Sequence, residues 1–224
     1  MALVTNPSFL YMQLPAATES TAYLAGSASL ANEFSGTVLA SVSADEVECL
    51  EPGTPSSAVL MMAFEQAQQV NAFWASERHQ SLLAPIRSQA GLLALTVLGL
   101  PYAGLPNALE IPTTASVEPP AGRGPRAFMV IQGRITDQER IDRYRDILLP
   151  LIAAQGAYYT AFETAGGVEV LVGEWPWEIF AISRWPDHAA GHVVWDSTRY
   201  QTKAIPMRTG AGTFHVHFFT GIAG

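Results

Sequence analysis

Two histidines near the C-terminus could carry out acid–base chemistry. The segment Thr213–Phe219 alternates imidazole and apolar side chains, with His215 and His217 two positions apart. Side chains alternate between the two faces of a strand, so both histidines share one face. We expect the apolar face to pack on helices and the histidine face to point toward a partner sheet. Imidazole titrates near neutral pH and suits proton transfer. The alternative is two core histidines satisfied by hydrogen bonds.

Three further polar residues are candidates for orienting a substrate. Gln132 lies on a predicted strand that should neighbour the histidine strand, and Gln13 and Tyr11 lie on an equivalent strand near the N-terminus. An amide or phenol beside an imidazole can hold a polar group of a small molecule. The alternative for the glutamines is an amide at a strand end that is satisfied by the backbone.

Arg184 lies inside a predicted central strand, where a charge is unusual. On the same face as the histidines, its guanidinium would hold a carboxylate or an enolate. The structural alternative, which the pattern favours, is an ion pair with Glu174 or Glu178 near the strand end.

We expect no metal ion and no organic cofactor. Two histidines at i, i+2 can share an ion, but a site needs a third protein ligand. Glu163 and Glu169 are the possible third ligands, but the sequence does not show whether they lie near the histidines. His188 and His192 are spaced i, i+4 on a predicted helix, but its apolar stripe leaves them toward solvent, which favours a solvated face. The sequence lacks a phosphate-binding glycine loop and a dinucleotide fingerprint.

An internal repeat organises the elements that position these residues. Trp195–Gln201 repeats the Trp, Ser, Arg and Gln of Trp74–Gln80 at the same spacing, 121 positions further on. Phe128 and Gln132 match Phe9 and Gln13 at a slightly shorter offset of 119 positions. Such self-similarity indicates a duplicated module. We predict a first module over residues 1–100, a proline-rich connector over 101–125, and a second module over 126–224.

Each module is predicted to follow the order β-α-β-β-α-β, which is the ferredoxin-like α+β pattern. In the first module the elements are Phe9–Leu14, a helix over Ala17–Phe34, a hairpin of Thr37–Ser43 with Glu46–Glu51, then Ala58–Phe64, a helix over Glu65–Trp74, and Leu92–Leu98. In the second they are Ala127–Gly133, a helix capped by Thr136, a hairpin of Ala157–Glu163 with Val168–Val172, then Ile179–Trp185, a helix over Asp187–Trp195, and Thr213–Thr220.

The second module resembles a known family. The residues that carry the resemblance are Thr136-Asp137, Tyr144, Gly156, Gly166-Gly167, Val168-Glu169-Val170-Leu171 with Gly173 and Trp175, and Asp196-Ser197-x-x-Tyr200-Gln201. They are similar to the domain of unknown function 1330 family of the dimeric α/β-barrel superfamily. The resemblance implies two sheets packed face to face as a pseudo-dimeric barrel within one chain. It implies no particular reaction.

Composition and charge indicate which kinds of partner the protein has. The net charge of −8 argues against a nucleic-acid partner, and proline and polar residues interrupt the one long uncharged stretch, 88–109, which argues against a membrane span. The single cysteine, Cys49, indicates a reducing compartment, so we expect the cytoplasm. The sparsely charged helix Ala17–Phe34 suggests an interface, and we expect a homodimer.

These observations predict a small-molecule enzyme that uses His215 and His217 as acid and base in a cavity between the sheets. Isomerisation, cyclisation, lyase and hydrolytic reactions all fit such a site. The alternatives are a cofactor-independent monooxygenase and a protein that binds a small ligand without turnover.

Overall fold

The structure is a computed structural model that describes residues 7–15, 18–100, 110–117 and 124–222. The elements of the first half are β1 (Ser8–Leu14), α1 (Thr18–Glu33), β2 (Gly36–Val42), β3 (Glu48–Cys49), β4 (Ala58–Phe64), α2 (Ala67–Ala75), α3 (Glu77–Leu83) and β5 (Leu93–Leu98). Those of the second half are β6 (Ala127–Ile135), α4 (Gln138–Ala154), β7 (Tyr158–Thr164), β8 (Val168–Val172), β9 (Ile179–Trp185), α5 (His188–Trp195), α6 (Ile205–Arg208) and β10 (Gly212–Thr220). A π-helical turn, Tyr200–Ala204, precedes α6.

The strands form two five-stranded antiparallel sheets that exchange one edge strand each. The first sheet has the order β2-β4-β1-β5-β8 and the second the order β3-β10-β6-β9-β7. Both predicted hairpins are therefore wrong, because β3 pairs with β10 and β8 pairs with β5 of the other half. Short 3₁₀ turns at Ala44–Glu46 and Ala165–Gly167 lie between the strands that separate. The exchange covers the outer edge of each closing strand. Without it, the backbone N–H and C=O groups of that edge would be unpaired and could pair with another chain.

The two sheets pack face to face as a barrel, which confirms the predicted α+β fold class. The amide of Leu100 donates to the carbonyl of Thr160 at 2.8 Å, and that of Ile222 donates to Leu39 at 2.8 Å. Each bond joins a residue just beyond the end of a closing strand to a residue within an edge strand of the other sheet. The alternation of strand residues explains the barrel, because each strand has one apolar face directed inward and one directed to the helices.

Three apolar cores follow from this arrangement. The first fills the barrel between the sheets and includes Tyr11, Met61, Leu95, Phe180 and Ile182. The other two lie between each sheet and its own helices. A sheet face must be covered by another layer to leave water, so neither half could bury its inward face alone.

Two further differences from the sequence analysis concern α1 and the connector. Tyr23 and Leu30 of α1 are buried within the chain, so the outward face consists of smaller residues. Residues 110–117 have no regular structure and lie on the second half, where Tyr159 donates its amide to the carbonyl of Pro112 at 2.8 Å. The predicted connector segments 101–109 and 118–123 lie outside the described residues. Among those described, no helix has the length and hydropathy to cross a membrane.

Candidate functional sites in the barrel and beneath helix α4

His217 lies inside the barrel and contacts two of the predicted site residues. The imidazole is fully buried. Its Nδ1 atom is 3.2 Å from the hydroxyl of Tyr11 and 3.2 Å from Nε2 of Gln13, both of which come from β1 in the other half. Its Nε2 atom is 2.9 Å from the carbonyl oxygen of Pro55. The β1 and β10 side chains meet because both strands direct these positions inward.

The hydrogen bonds fix the protonation of His217. The carbonyl of Pro55 can only accept, so Nε2 carries the proton and Nδ1 accepts from Tyr11 or Gln13. Burial lowers the pKa of His217, although the Pro55 carbonyl partly opposes the shift. The imidazole is therefore neutral and has a partner at each nitrogen. Chemistry at this group requires one of these hydrogen-bonded neighbours to move, because the imidazole is fully buried.

His215 and Gln132 lie on the inward face nearer one mouth of the barrel and have tryptophan partners. His215 packs edge-on against Trp177 with ring centroids 4.6 Å apart. Gln132 accepts a hydrogen bond of 3.0 Å from the indole N–H of Trp175. The two residues are directly opposite each other in the ladder between β6 and β10, as the strand order predicted. Burial lowers the pKa of His215.

Arg184 lies at another part of the barrel, away from the histidines. It lines a cavity of about 400 Å³ together with Phe9 and Phe128 from the two sheets, and it donates to the hydroxyl of Tyr158 at 3.3 Å. The predicted ion pair with Glu174 or Glu178 is not formed among the described residues, and Glu178 pairs with Arg134 instead. The structure therefore brings His217, Tyr11 and Gln13 together and places Arg184 elsewhere.

A second cavity, which the sequence analysis missed, lies beneath α4. It has a volume of about 240 Å³ and separates α4 from the outer face of the second sheet. Its lining is mainly apolar, and Ile111 from the connector contributes to it. Gln138 and Thr164 are exposed lining residues at its rim. Concave, apolar sites with a few convergent polar groups are typical of ligand binding.

Polar groups converge at the inner end of this cavity. Arg208 and Tyr144 line it, and the Arg208 guanidinium donates to the hydroxyls of Tyr144 at 3.0 Å and Tyr200 at 3.3 Å. The two hydroxyls are 3.1 Å apart. Arg208 also forms an ion pair with Glu51, which follows β3 and comes from the first half. A buried cation is stable only with such partners. We call these four residues the Arg208 cluster.

The protonation states and hydrogen bonds of the Arg208 cluster leave one tyrosine hydroxyl proton without a partner in the cluster. Burial raises the pKa values of Tyr144 and Tyr200, so both phenols are neutral, and burial lowers the pKa of Arg208 to about 10, which still leaves it charged. Because Arg208 donates to both hydroxyl oxygens, one hydroxyl proton bridges the pair. Among the residues that the structure describes, no hydrogen bond uses the other hydroxyl proton. When Tyr200 supplies the bridging proton, the remaining proton belongs to Tyr144, which lines the cavity and can donate to a ligand oxygen.

Local structure positions these groups. Helix α4, which carries Tyr144, begins after Asp137, whose carboxylate accepts from the amide of Arg140 at 3.1 Å; the predicted cap, Thr136, is one residue too early. Tyr200 lies on the π-helical turn and Arg208 on α6. The exchanged strand β3 brings the chain that carries Glu51 to them.

The repeat contains the signal that could have revealed the cluster. At the same offset of 121 positions, Tyr144, Tyr200 and Arg208 correspond to the first-half residues Tyr23, His79 and Arg87. Glu51, which comes from the first half, corresponds to Val172 of β8 in the second half. In the first half, the Tyr23 hydroxyl lies 2.7 Å from Nε2 of His79, and Arg87 is exposed and bonded to Gln80. The carboxylate is replaced by an apolar side chain. Among the described residues, the complete cluster is therefore present beneath α4 and has no equivalent beside α1.

The fold and cavity define a dimeric α/β-barrel protein in which one chain supplies both halves. Residues 126–222 match the profile of the family described as Domain of unknown function (DUF1330), which confirms the resemblance of the second half. No curated protein matches the chain.

Three solved structures of similar architecture support the fold. A candidate monooxygenase from Lactobacillus acidophilus NCFM has a TM-score of 0.50 at 11% identity, with 98% of this chain and 99% of that chain covered. A candidate monooxygenase from Fusobacterium nucleatum subsp. nucleatum ATCC 25586 has a TM-score of 0.52 at 9% identity, with coverage of 98% and 94%. A dye-decolorizing protein from V. cholerae has a TM-score of 0.51 at 10% identity, with coverage of 97% and 95%.

Proposed function

We propose that the protein is a small-molecule enzyme without an organic cofactor whose substrate binds in the cavity beneath α4. The observation that carries this proposal is the convergence of Tyr144 and Arg208 on an apolar cavity, with the Tyr144 hydroxyl hydrogen-bonded to Arg208 and to Tyr200. The substrate is a compact, mainly apolar molecule with an acceptor oxygen. Perturbed titratable groups in a cleft are typical of functional sites.

The cluster suits the stabilisation of an enolate or a related oxyanion. When a C–H proton next to a carbonyl is taken up by water or hydroxide from the solvent, the negative charge moves to the carbonyl oxygen. A neutral phenol polarised by a guanidinium donates to that oxygen more strongly as the charge develops. Isomerisation, cyclisation and lyase reactions all pass through such a species. Glu51 does not act on the substrate in this scheme, because its carboxylate holds Arg208.

A cofactor-independent monooxygenase is a variant of the same proposal. Two structures of similar architecture carry the description of candidate monooxygenase. An enolate or phenolate in an apolar cavity is also the electron-rich form that would react with oxygen. Dependence of turnover on oxygen distinguishes this variant, and saturable binding without any turnover would instead indicate a ligand-binding protein.

The barrel histidines are a second candidate site. The observation in favour is that His217, Tyr11 and Gln13 converge on one buried network. In this alternative His217 and His215 act as acid and base, with Gln132 and Arg184 binding the substrate. His217 is fully buried and has a hydrogen-bond partner at each nitrogen, so this site is less open to a substrate than the cavity beneath α4.

Deuterium exchange into a simple ketone tests the enolate proposal directly. The probe is 1-tetralone, a bicyclic ketone whose α-carbon exchanges its protons with D₂O through the enolate. We expect the protein to accelerate exchange, and Tyr144→Phe to reduce the acceleration by about 10²-fold, as loss of an oxyanion donor does. The matched control is Tyr23→Phe, at the equivalent position of the first half, which should leave it unchanged.

The outcomes separate the two sites. Exchange that depends on His217 and not on Tyr144 would assign the chemistry to the barrel. Binding of 1-tetralone without accelerated exchange in any variant would contradict the enolate proposal.

The proposal also includes the oligomeric state and the location of the protein. We infer that the chain forms a homodimer, and that the cytoplasm is its location, in agreement with its one free cysteine, Cys49.

A further inference from the structure

Three side chains with metal-binding groups meet on the surface of the second half, outside both sites described above. His188 and His192 lie one turn apart on α5, and Glu48 lies on the exchanged strand β3. The Nε2 atom of His192 is 2.8 Å from a Glu48 carboxylate oxygen, and that of His188 is 3.4 Å from the same oxygen. The ligand atoms all lie within 4.8 Å of one another.

These separations match those of a metal site. Bonds of about 2.0–2.2 Å in tetrahedral coordination place neighbouring ligand atoms about 3.3 Å apart. The two nitrogen–oxygen distances of 2.8 and 3.4 Å are close to that value, so small side-chain rotations suffice. The three side chains are 34–39% exposed, which leaves the remaining coordination position to water.

Both imidazoles are already oriented. Nδ1 of His192 lies 3.1 Å from the carboxylate of Asp196, and Nε2 donates to the carboxylate of Glu48. An ion that replaced the Nε2 proton would leave the Nδ1–H donated to Asp196. A carboxylate behind a ligating histidine is a common outer partner at metal sites. The ring of His188 stacks on Phe218 with centroids 4.2 Å apart and planes inclined by 13°.

The protonation of the group agrees with competition between a proton and an ion. Burial opposes protonation of His192, but the hydrogen bonds to Glu48 and Asp196 outweigh it and raise the pKa of this imidazole. Burial lowers the pKa of His188, against the opposing effect of Glu48. An imidazole binds a metal only in its neutral form, so metal affinity should depend on pH.

We propose that Glu48, His188 and His192 form a binding site for a divalent first-row transition-metal ion, with Zn²⁺ as its typical occupant. Two imidazoles and one carboxylate form a ligand set that suits Zn²⁺, and an open position is normal with three protein ligands. The ion links β3 of the first half to α5 of the second, so its binding reinforces the exchange of strands. The proposal is independent of the cavity beneath α4.

Titration of the chelator-treated full chain with ZnCl₂ at pH 7.5 in a calorimeter tests this site. We expect one Zn²⁺ per chain, and loss of that binding in both Glu48→Gln and His192→Ala. Asp196→Ala should weaken affinity by about 10–100-fold through misorientation of His192, and Asp196→Asn, which keeps an acceptor oxygen, should recover much of it.

Two control variants exclude other ligands. Cys49→Ser removes the neighbouring thiol, and His215→Gln removes a histidine outside the group; both should bind Zn²⁺ as the unaltered chain does. With Co²⁺ as the probe, the unaltered chain should show the visible absorption of tetrahedral coordination, and Glu48→Gln should not.

The proposal is overturned if the unaltered chain binds no Zn²⁺, if Glu48→Gln and His192→Ala bind normally, or if a control variant loses the ion. Circular dichroism establishes that each variant is folded. Should one of the two ligand variants unfold, the other decides, because they alter different halves of the chain.

Discussion

At the scale of single residues, the same side-chain type has different roles according to its partners. His217 has a donor or acceptor at each nitrogen and no solvent exposure, whereas His192 is partly exposed between two carboxylates. Burial without a counter-charge disfavours the imidazolium, and nearby carboxylates favour it. The two histidines therefore respond to acid in opposite directions.

This contrast predicts the pH dependence of stability. The folded state lowers the pKa of His217, so between that value and the unfolded value of about 6.5 the unfolded chain binds more protons. The contribution of His217 is thus present above about pH 6.5 and is lost as pH falls. His217→Gln should reduce the pH dependence of the free energy of unfolding by at most about 1.4 kcal/mol per pH unit.

The measurement is urea unfolding of the unaltered chain and each variant from about pH 7.5 to about pH 5. The matched control is His192→Gln. Folding raises the pKa of His192, so its contribution is present at low pH, and its removal should steepen the loss of stability in acid. Parallel curves for His217→Gln and the unaltered chain would show that His217 contributes nothing to the pH dependence.

At the scale of elements, the exchanged strands determine which residues can meet. Strand β3 has two residues in regular pairing, yet the chain around it brings Glu48 to α5 and Glu51 to Arg208. Its pairing with β10 also places Thr54 and Pro55 over His217. One short element thus contributes to both candidate sites and to the proposed metal site.

Helix α1 carries the prediction about self-association. Its outward face includes Ala22, Ala25 and Ser29, whose small side chains would allow another surface to approach closely. We expect a dimeric mass by light scattering at high micromolar concentration, and a monomeric mass for Ala25→Glu, because a charge there would be buried without a partner. Val193→Glu, on exposed α5, is the control and should remain dimeric. A monomeric unaltered chain would contradict the prediction.

At the scale of the whole molecule, the two halves depend on each other. The barrel core is built from both sheets, and each sheet includes a strand from the other half. Separating the halves would expose the inward apolar faces and remove Glu51 from Arg208. A buried cation left without its partner costs about 3–5 kcal/mol, on top of the lost apolar burial.

Expression of residues 126–224 alone tests this dependence. We expect no stable monomer with a cooperative thermal transition. As the control, a protease site inserted within residues 118–123 of the full chain should be cut without separating the halves, because β3 and β8 hold them together after cleavage. A cooperative monomeric fragment would show that the second half is an independent domain.

The sequence by itself determined the duplicated α+β fold and the face to which each strand residue points. β4, β8 and β9 were predicted at the bounds that the structure has, and His215 and His217 do share the inward face of β10. These features are local, because the period of two in a strand and the offset of 121 positions are present in the chain itself.

Only the tertiary structure decided which strands pair and which distant groups meet. Hairpin formation was predicted from proximity in sequence, but the unpaired edges of the closing strands were covered by the opposite half. That exchange brought Glu51 to Arg208 and Glu48 to the histidines of α5, over 157 and 144 positions. Contacts over such separations depend on which sheet edge each strand pairs with. The local pattern of apolar and polar residues does not identify that partner strand.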